Sequence, residues 1–468
     1  MMKLKLLFSY LLKGYLLLLS FTSIAQTPLD YDHRLSEYLE IQNRRIGFNG
    51  IVMVVDDDGH VVEKKIGLAS REFDVPVQSN SKFKIASMTK SLTALLINLA
   101  EQEGKLMLDD KISLYFQDLP DDQWNQISIR HLMSHTSGVP HWSGFDNYWS
   151  EKSFLPLTQE QILIEIFKME LAFEPGSQFA YSSPAYYLLA TILEKIYSDS
   201  FDNLLQKKIL RKLNLKESGT YDGLTVLSNM SSGYHLISDD SVVVAPARNM
   251  ATMKGGGNMY ATARDVTTWC RSFLTHNYWG TEVIASTFMP MSSLKSPQKD
   301  QSLYGRGWYL TKRAGDRPEV FHLGGGTFGY SCNAAIYPEK KWSIVVLTNV
   351  SFLPIDDIRN DIEKIVFGLP FELPEDFDDT IELSSEQLKR LVGGYQAENG
   401  MVLNVIFHQG SLYAKLGPNP PLELHATDNL KFFSKKIDIR FAFQTNEANE
   451  IEGLEAKGRG RIDYFQRQ

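Results

Sequence analysis

With 468 residues, 43% hydrophobic and 22% charged, and a formal net charge of −8, the chain has the balance of a globular protein of ordinary composition. Disordered, coiled-coil, collagen-like and polytopic membrane chains are excluded, and no basic footprint invites nucleic acid. Cys270 and Cys332 are the whole thiol complement, too few for a disulfide framework or a four-thiolate zinc site.

In chain order, residues 1–25 read as a signal peptide. Lys3 and Lys5 open it, an apolar stretch runs from Gly14 to Ala25, and Ser23-Ile24-Ala25 supplies the small residues of a cut before Gln26. Lys13 interrupts the run too early for a transmembrane helix. The expected location is periplasmic or secreted, where the two cysteines have an oxidising setting in which to pair. A β-hairpin follows, Ile51 to Val55 and Val61 to Ile66 around the turn Asp57-Asp58-Gly59. Leu92, Leu95, Leu96 and Leu99 then fall on one face of a helix that starts at Ser87 and ends near Gly104. Thr158 and Gln161 make a capping box, with Leu157 and Ile162 as its hydrophobic staple. Ser183-Pro184 reads as the N-cap and first residue of another helix, with Leu189, Ile192, Leu193 and Ile196 on its apolar face.

Later the period changes to two. Val320 to Leu323, Ser331 to Tyr337 and Trp342 to Asn349 read as successive antiparallel strands. Strands at both ends with helices between predict an α+β fold, an antiparallel sheet flanked by helices with a helical subdomain, over residues 26–369. The acidic, proline-bearing stretch 370–382 reads as a linker. Residues 383–468 alternate as strands do, Ile437, Ile439, Phe441 and Phe443 on one side, with turns at Asn399-Gly400 and Gln409-Gly410. They predict a small β-sandwich or barrel.

Several chemistries lack their residues. There is no G-x-S-x-G elbow, no H-E-x-x-H and no H-x-H pair. His131, His135 and His141 have no acidic or thiol partner at ligand spacing, so a structural or surface role is expected for them. Gly324, Gly326 and Gly329 match G-x-G-x-x-G, but the segment leads into a strand, so no helix N-terminus awaits a pyrophosphate. No metal or organic cofactor is expected.

Ser-x-x-Lys remains. It occurs at Ser79/Lys82, Ser81/Lys84, Ser87/Lys90, Ser292/Lys295 and Ser296/Lys299, so the pattern alone is cheap. Only Ser87 opens a strong amphipathic helix. There Lys90, one turn on, shares its face and can act as the base a serine hydroxyl needs, and the helix start offers N–H groups to an oxyanion.

Phe83-Lys84-Ile85-Ala86-Ser87-Met88-Thr89-Lys90 resembles the first motif of the serine β-lactamase and penicillin-binding-protein superfamily, especially its class C-like branch. Further landmarks follow in that family's order: His135-Thr136-Ser137-Gly138, Phe179-Ala180-Tyr181-Ser182-Ser183 after Pro175-Gly176, Gly255-Gly256-Gly257 before Thr262-Ala263-Arg264-Asp265, Tyr304-Gly305 with Gly307-Trp308, and His322-Leu323-Gly324-Gly325. The likeness spans about Asn49 to Asn349. It implies that Ser87 is acylated, that Lys90 is its base, that Tyr181 passes the proton on, and that the N–H groups of Ser87 and Gly325 hold the oxyanion, with Gly324 beside them. Ser183 stands where the family has Asn, and His322 where it has Lys, which points away from β-lactam or D-Ala-D-Ala recognition. The expectation is an exported serine hydrolase of small-molecule or peptide-like esters or amides. The alternatives are a peptidoglycan D,D-peptidase acting on cell-wall material, a D-aminopeptidase, a β-lactamase, or a non-turnover binding protein on the same fold. No particular oligomeric state is implied.

Overall fold

The computed structural model describes residues 28–468, except 237–241, 276, 295–300, 314–316, 375–379, 399, 417–420, 436–438 and 459–460. The expected signal peptide lies outside the described residues, as do Lys295, Ser296 and Lys299 of two Ser-x-x-Lys pairs, much of the linker, and Asn399 and Ile437. No described helix is long and apolar enough to cross a membrane.

The hairpin at Asp57-Asp58-Gly59 forms as Gly50–Val55 and Val61–Ile66, and its first strand pairs with Trp342–Thr348 from the far end of the domain. That long-range pairing completes an eight-stranded antiparallel sheet, which also carries Val320–Thr327 and Tyr330–Tyr337. Most of the helices fall between its second and third strands in sequence, as an insertion. Alternation along Gly50–Val55 sends Ile51, Met53 and Val55 into one core and Val52 and Val54 into another. Both faces are covered, so every residue of that strand is buried. The Ile51 face packs on the helical region. Its opposite is roofed by the helices Pro28–Ile46 and Ile355–Val366.

The helix expected after Ser87 is Thr89–Gln102, and Gly104 follows it with φ +68°. It is buried almost all round, from Thr89 to Asn98, because it runs through the centre of the domain. Ser87 itself lies one step earlier, in the 3-10 turn Ala86–Met88. Thr158 and Gln161 cap Gln159–Phe167 reciprocally, as their spacing requires. One expectation is corrected. The helix Ser183–Tyr197 is capped by Ser182, whose hydroxyl accepts from the Ala185 N–H, so Ser183 is the first helical residue and Pro184 the second. Ser182 has the extended backbone a cap needs, and this leaves the Ser183 hydroxyl free for another partner.

The C-terminal strands from Gly393–Ala397 to Arg461–Arg467 close into an eight-stranded antiparallel barrel, which decides between sandwich and barrel. Its first and last strands pair, so no edge is left open. Side chains such as Tyr395, Leu403, Phe432, Phe443 and Leu454 fill its interior. Gln409 and Gly410, both at positive φ, turn one of its hairpins as expected. Cys270 and Cys332 are both buried and free.

Candidate active site

Two long-range contacts present Ser87. The short strand Phe83–Lys84 pairs with Met259–Ala261, and Ile85 continues the ladder by donating to the Met259 carbonyl. Ala86 then takes φ +45°, a left-handed conformation that a non-glycine residue adopts only when its surroundings enforce it. The turn lifts Ser87 to a half-buried position between fully buried neighbours. Opposite it, the strand Val320–Thr327 crosses so closely that a Cβ on Gly325 would stand 2.2 Å from the Ile85 carbonyl oxygen. Only glycine fits there. Gly324, by contrast, faces open space and lines the cleft.

Lys90 is 1% exposed. Its Nζ donates to Ser87 Oγ at 3.1 Å, Ser183 Oγ at 3.0 Å and the Gly256 carbonyl at 2.7 Å. The glycine run has a structural task here. Gly255, at φ +69°, packs against Ala190 and the Tyr186 carbonyl, and Thr93 holds its own carbonyl at 2.7 Å. That contact fixes the next carbonyl on Lys90. All three acceptors are uncharged, so burial is uncompensated and lowers the amine to about 7.

The Tyr181 ring lies 4.4 Å from the His135 ring and 5.9 Å from the His141 ring, with the Lys90 amine 4.8 Å from its centre. Burial pushes its hydroxyl well above the usual phenol range, and a hydrogen bond with Ser87 works against that rise. The phenol therefore keeps its proton, and the amine beside it is the group that can be neutral near pH 7. His135 is a buried support: its Nδ1 accepts from the Ser182 N–H at 3.1 Å and its Nε2 lies 3.2 Å from the Tyr304 hydroxyl. His131 takes part in the cap of Ile129–Met133. His141 has a structural contact, its Nδ1 accepting from the Trp142 N–H at 2.8 Å, and its Nε2 also stands 3.3 Å from Ser183 Oγ inside the site. No motif flags it; only the hydroxyl freed by the Ser182 cap brings it in.

A cleft of about 530 Å³ opens over Ser87, Tyr181, Gly325 and His322. His322 stacks on Tyr309 across the strand pair at 5.2 Å. Burial and the Arg359 charge push it down to about 3, so it is neutral throughout the working pH range and the titration of a free imidazole near 6.5 is absent. Asp356 lines the same end of the cleft and accepts from Asn333 Nδ2 at 2.6 Å. Sequence reasoning missed that carboxylate, which reaches the site from a helix far along the chain. Among the described residues, no group of three His, Cys, Asp or Glu side chains could hold a metal ion.

An antiparallel sheet with an inserted helical region, and a half-buried serine beside a buried lysine amine, define a serine hydrolase of the β-lactamase type. The Beta-lactamase family model matches residues 32–365, and the chain belongs to that family. It is 25% identical over 437 residues to penicillin-binding protein 4* of Bacillus subtilis (strain 168), covering 88% of this chain and 94% of that one. It is 27% identical over 348 residues to the D-alanyl-D-alanine-carboxypeptidase/endopeptidase AmpH of Escherichia coli (strain K12), covering 70% and 86%. The octameric penicillin-binding protein homologue of Pyrococcus abyssi shares the fold with a TM-score of 0.67 at 21% identity, over 93% of this chain and 99% of that one.

Proposed function

We propose that this serine hydrolase is exported by its N-terminal segment and cleaves an ester or amide through an acyl-enzyme on Ser87. The observation that carries the reading is Lys90: a buried amine lowered to about 7, with no acid beside it, 3.1 Å from Ser87 Oγ. As Oγ attacks the carbonyl carbon, the Lys90 amine takes its proton. The Ser87 and Gly325 N–H groups receive the negative oxygen. Tyr181 delivers a proton to the leaving group as the tetrahedral intermediate collapses, and the Lys90 ammonium returns a proton to Tyr181, so the amine is neutral again. Water then attacks the acyl carbonyl with the same base, Ser87 regains its proton, and the acid departs.

The relatives' names raise a D-alanyl-D-alanine substrate, whose leaving residue bears a carboxylate. The cleft end near Tyr181 argues against it, because a neutral His322 stands there and the Asp356 side chain adds a carboxyl group to the lining. A neutral leaving group fits better. One experiment tests both statements: fluorophosphonate labelling with peptide mapping, followed by turnover of p-nitrophenyl esters, D-amino-acid amides, D-Ala-D-Ala peptides and a chromogenic cephalosporin. Label on Ser87 and preference for neutral leaving groups are expected. Label on Ser81 or Ser292, or fastest turnover of the D-Ala-D-Ala peptide, overturns the proposal.

A further inference from the structure

The strand Val320–Thr327 gives the cleft two ends. His322 lies at one, and the turn after Thr327 lies at the other, several residues at about 3.3 Å each beyond it. Tyr181, which faces Tyr309 and hence the His322 end, serves the leaving group. The acyl group therefore extends the other way, toward Phe328 and Tyr330.

Two cations lie beyond that end, behind aromatic side chains and outside the residues that line the cleft proper. The Arg248 guanidinium carbon lies 5.3 Å from the Phe328 ring, 5.1 Å from Trp149 and 5.0 Å from Tyr148. The Lys84 amine lies 5.5 Å from the Tyr330 ring and 4.9 Å from Tyr221. Lys84 is three residues before Ser87, and Trp149 also stacks on His141 at 6.3 Å, so the pair adjoins the catalytic groups. Arg248 is 5% exposed, and among the described residues its only polar side-chain partner is the Tyr148 hydroxyl and its buried Nε has none. Burial, and after it the charge of Arg248, lowers Lys84 to about 8.

Neither cation faces an acid among the described residues. Neighbours of the same kind do. Lys82 meets Glu217 at 2.8 Å, Lys254 meets Glu194, Arg306 meets Glu101 and Arg359 meets Glu363. Bringing two like charges together in a partly dry site is costly unless an anion joins them. An arginine with spare coplanar donors beside an ammonium suits a carboxylate.

We propose that Lys84 and Arg248 form a subsite for a carboxylate carried on the acyl part of the substrate, an inference that rests on the Ser87 acyl-enzyme. It gives the cleft a polarity: an anion accepted on the acyl side and rejected on the leaving-group side.

The test compares p-nitrophenyl hemiglutarate, its neutral methyl ester, and a butyrate ester whose nitrophenol bears the carboxylate instead. The hemiglutarate should exceed its methyl ester in kcat/KM by about tenfold or more, as expected for charge-assisted bonds. That ratio should fall to near one in Arg248→Gln and in Lys84→Met, and recover in part in Arg248→Lys. A ratio within each variant cancels any general loss of activity. Binding is read separately on Ser87→Ala, where glutarate should raise the melting temperature and should not do so in Ser87→Ala/Arg248→Gln. If Ser87→Ala still hydrolyses the esters, the acyl-enzyme reading fails, and this inference fails with it only if glutarate also leaves the melting temperature unmoved. A wild-type ratio near one, a ratio that survives both variants, a preference for the carboxylated leaving group, or stabilisation by inorganic phosphate but not glutarate overturns the proposal.

Discussion

The two faces of the large sheet bury charge in opposite ways. On the outer face Glu363 is fully buried, yet Arg313, Arg359 and Arg317 reach it at 2.6, 2.8 and 3.2 Å and the Tyr337 hydroxyl donates at 2.9 Å. On the inner face Lys90 is equally buried and meets only two hydroxyls and a carbonyl. A buried charge with matched partners stays a charge and locks a helix to a sheet. A buried amine with neutral partners gives up its proton near pH 7 and becomes a base. Partner chemistry, not depth, separates the structural site from the reactive one.

The largest effect that would sharpen this contrast is at Lys90. Lys90→Met should lower kcat/KM for a p-nitrophenyl ester by about a thousandfold or more, since a serine hydroxyl without a base is barely nucleophilic. Lys90→Arg should restore little, because guanidinium keeps its proton. Steady-state kinetics on protein with wild-type circular dichroism check this, and near-normal turnover by Lys90→Arg would break it.

On the paired face the loss should appear in stability instead. Glu363→Gln leaves Arg313 and Arg359 buried without their counter-charge, which costs about 3–5 kcal/mol in comparable pairs. Urea unfolding should show that drop, while kcat/KM of the folded fraction changes far less. Equal midpoints for variant and wild type would contradict the assignment.

Giving Lys90 an acid would convert one kind of site into the other. The wild-type kcat/KM should rise with pH through about 7 and then level off, because the lowered pKa leaves the amine neutral above that point and protonated below it. One unit below the midpoint the rate should be about a tenth of the plateau. In Ser183→Asp the carboxylate would stand near the amine that Ser183 Oγ now meets at 3.0 Å, favouring the ammonium. The rising limb should move up by about a unit or more, with a loss of about fivefold or more at pH 7. A limb that stays in place would mean that Lys90 is not the group titrating.

The smallest effect concerns His322, which lines the cleft and feels the charge of the outer cluster. His322 is held neutral by burial and by Arg359, a member of the outer cluster. His322→Lys should raise the ratio of cephalosporin to neutral ester turnover by about tenfold, the worth of one charge-assisted bond to a substrate carboxylate. Efficient cephalosporin hydrolysis by the wild type at pH 8 would remove the reason for the substitution.

Much of this molecule was legible from local rules. The hairpin at Gly59, the Thr158 capping box and the late strands follow from turn chemistry and periodicity. Ser87 and Lys90 stand out because one helical turn brings them together. The Ser183 cap went wrong by one position, since Ser and Ser are alike in propensity and only backbone geometry at Ser182 separates them. What lowers the Lys90 amine was beyond any local rule: its partners Ser183 and Gly256 lie 93 and 166 residues away. The same holds for His141, Asp356 and the unmatched pair Lys84 and Arg248. Sequence spacing specifies which groups share a turn, but a pKa depends on what surrounds a group in space, and the sheet and its helical insertion assemble that surrounding from distant segments.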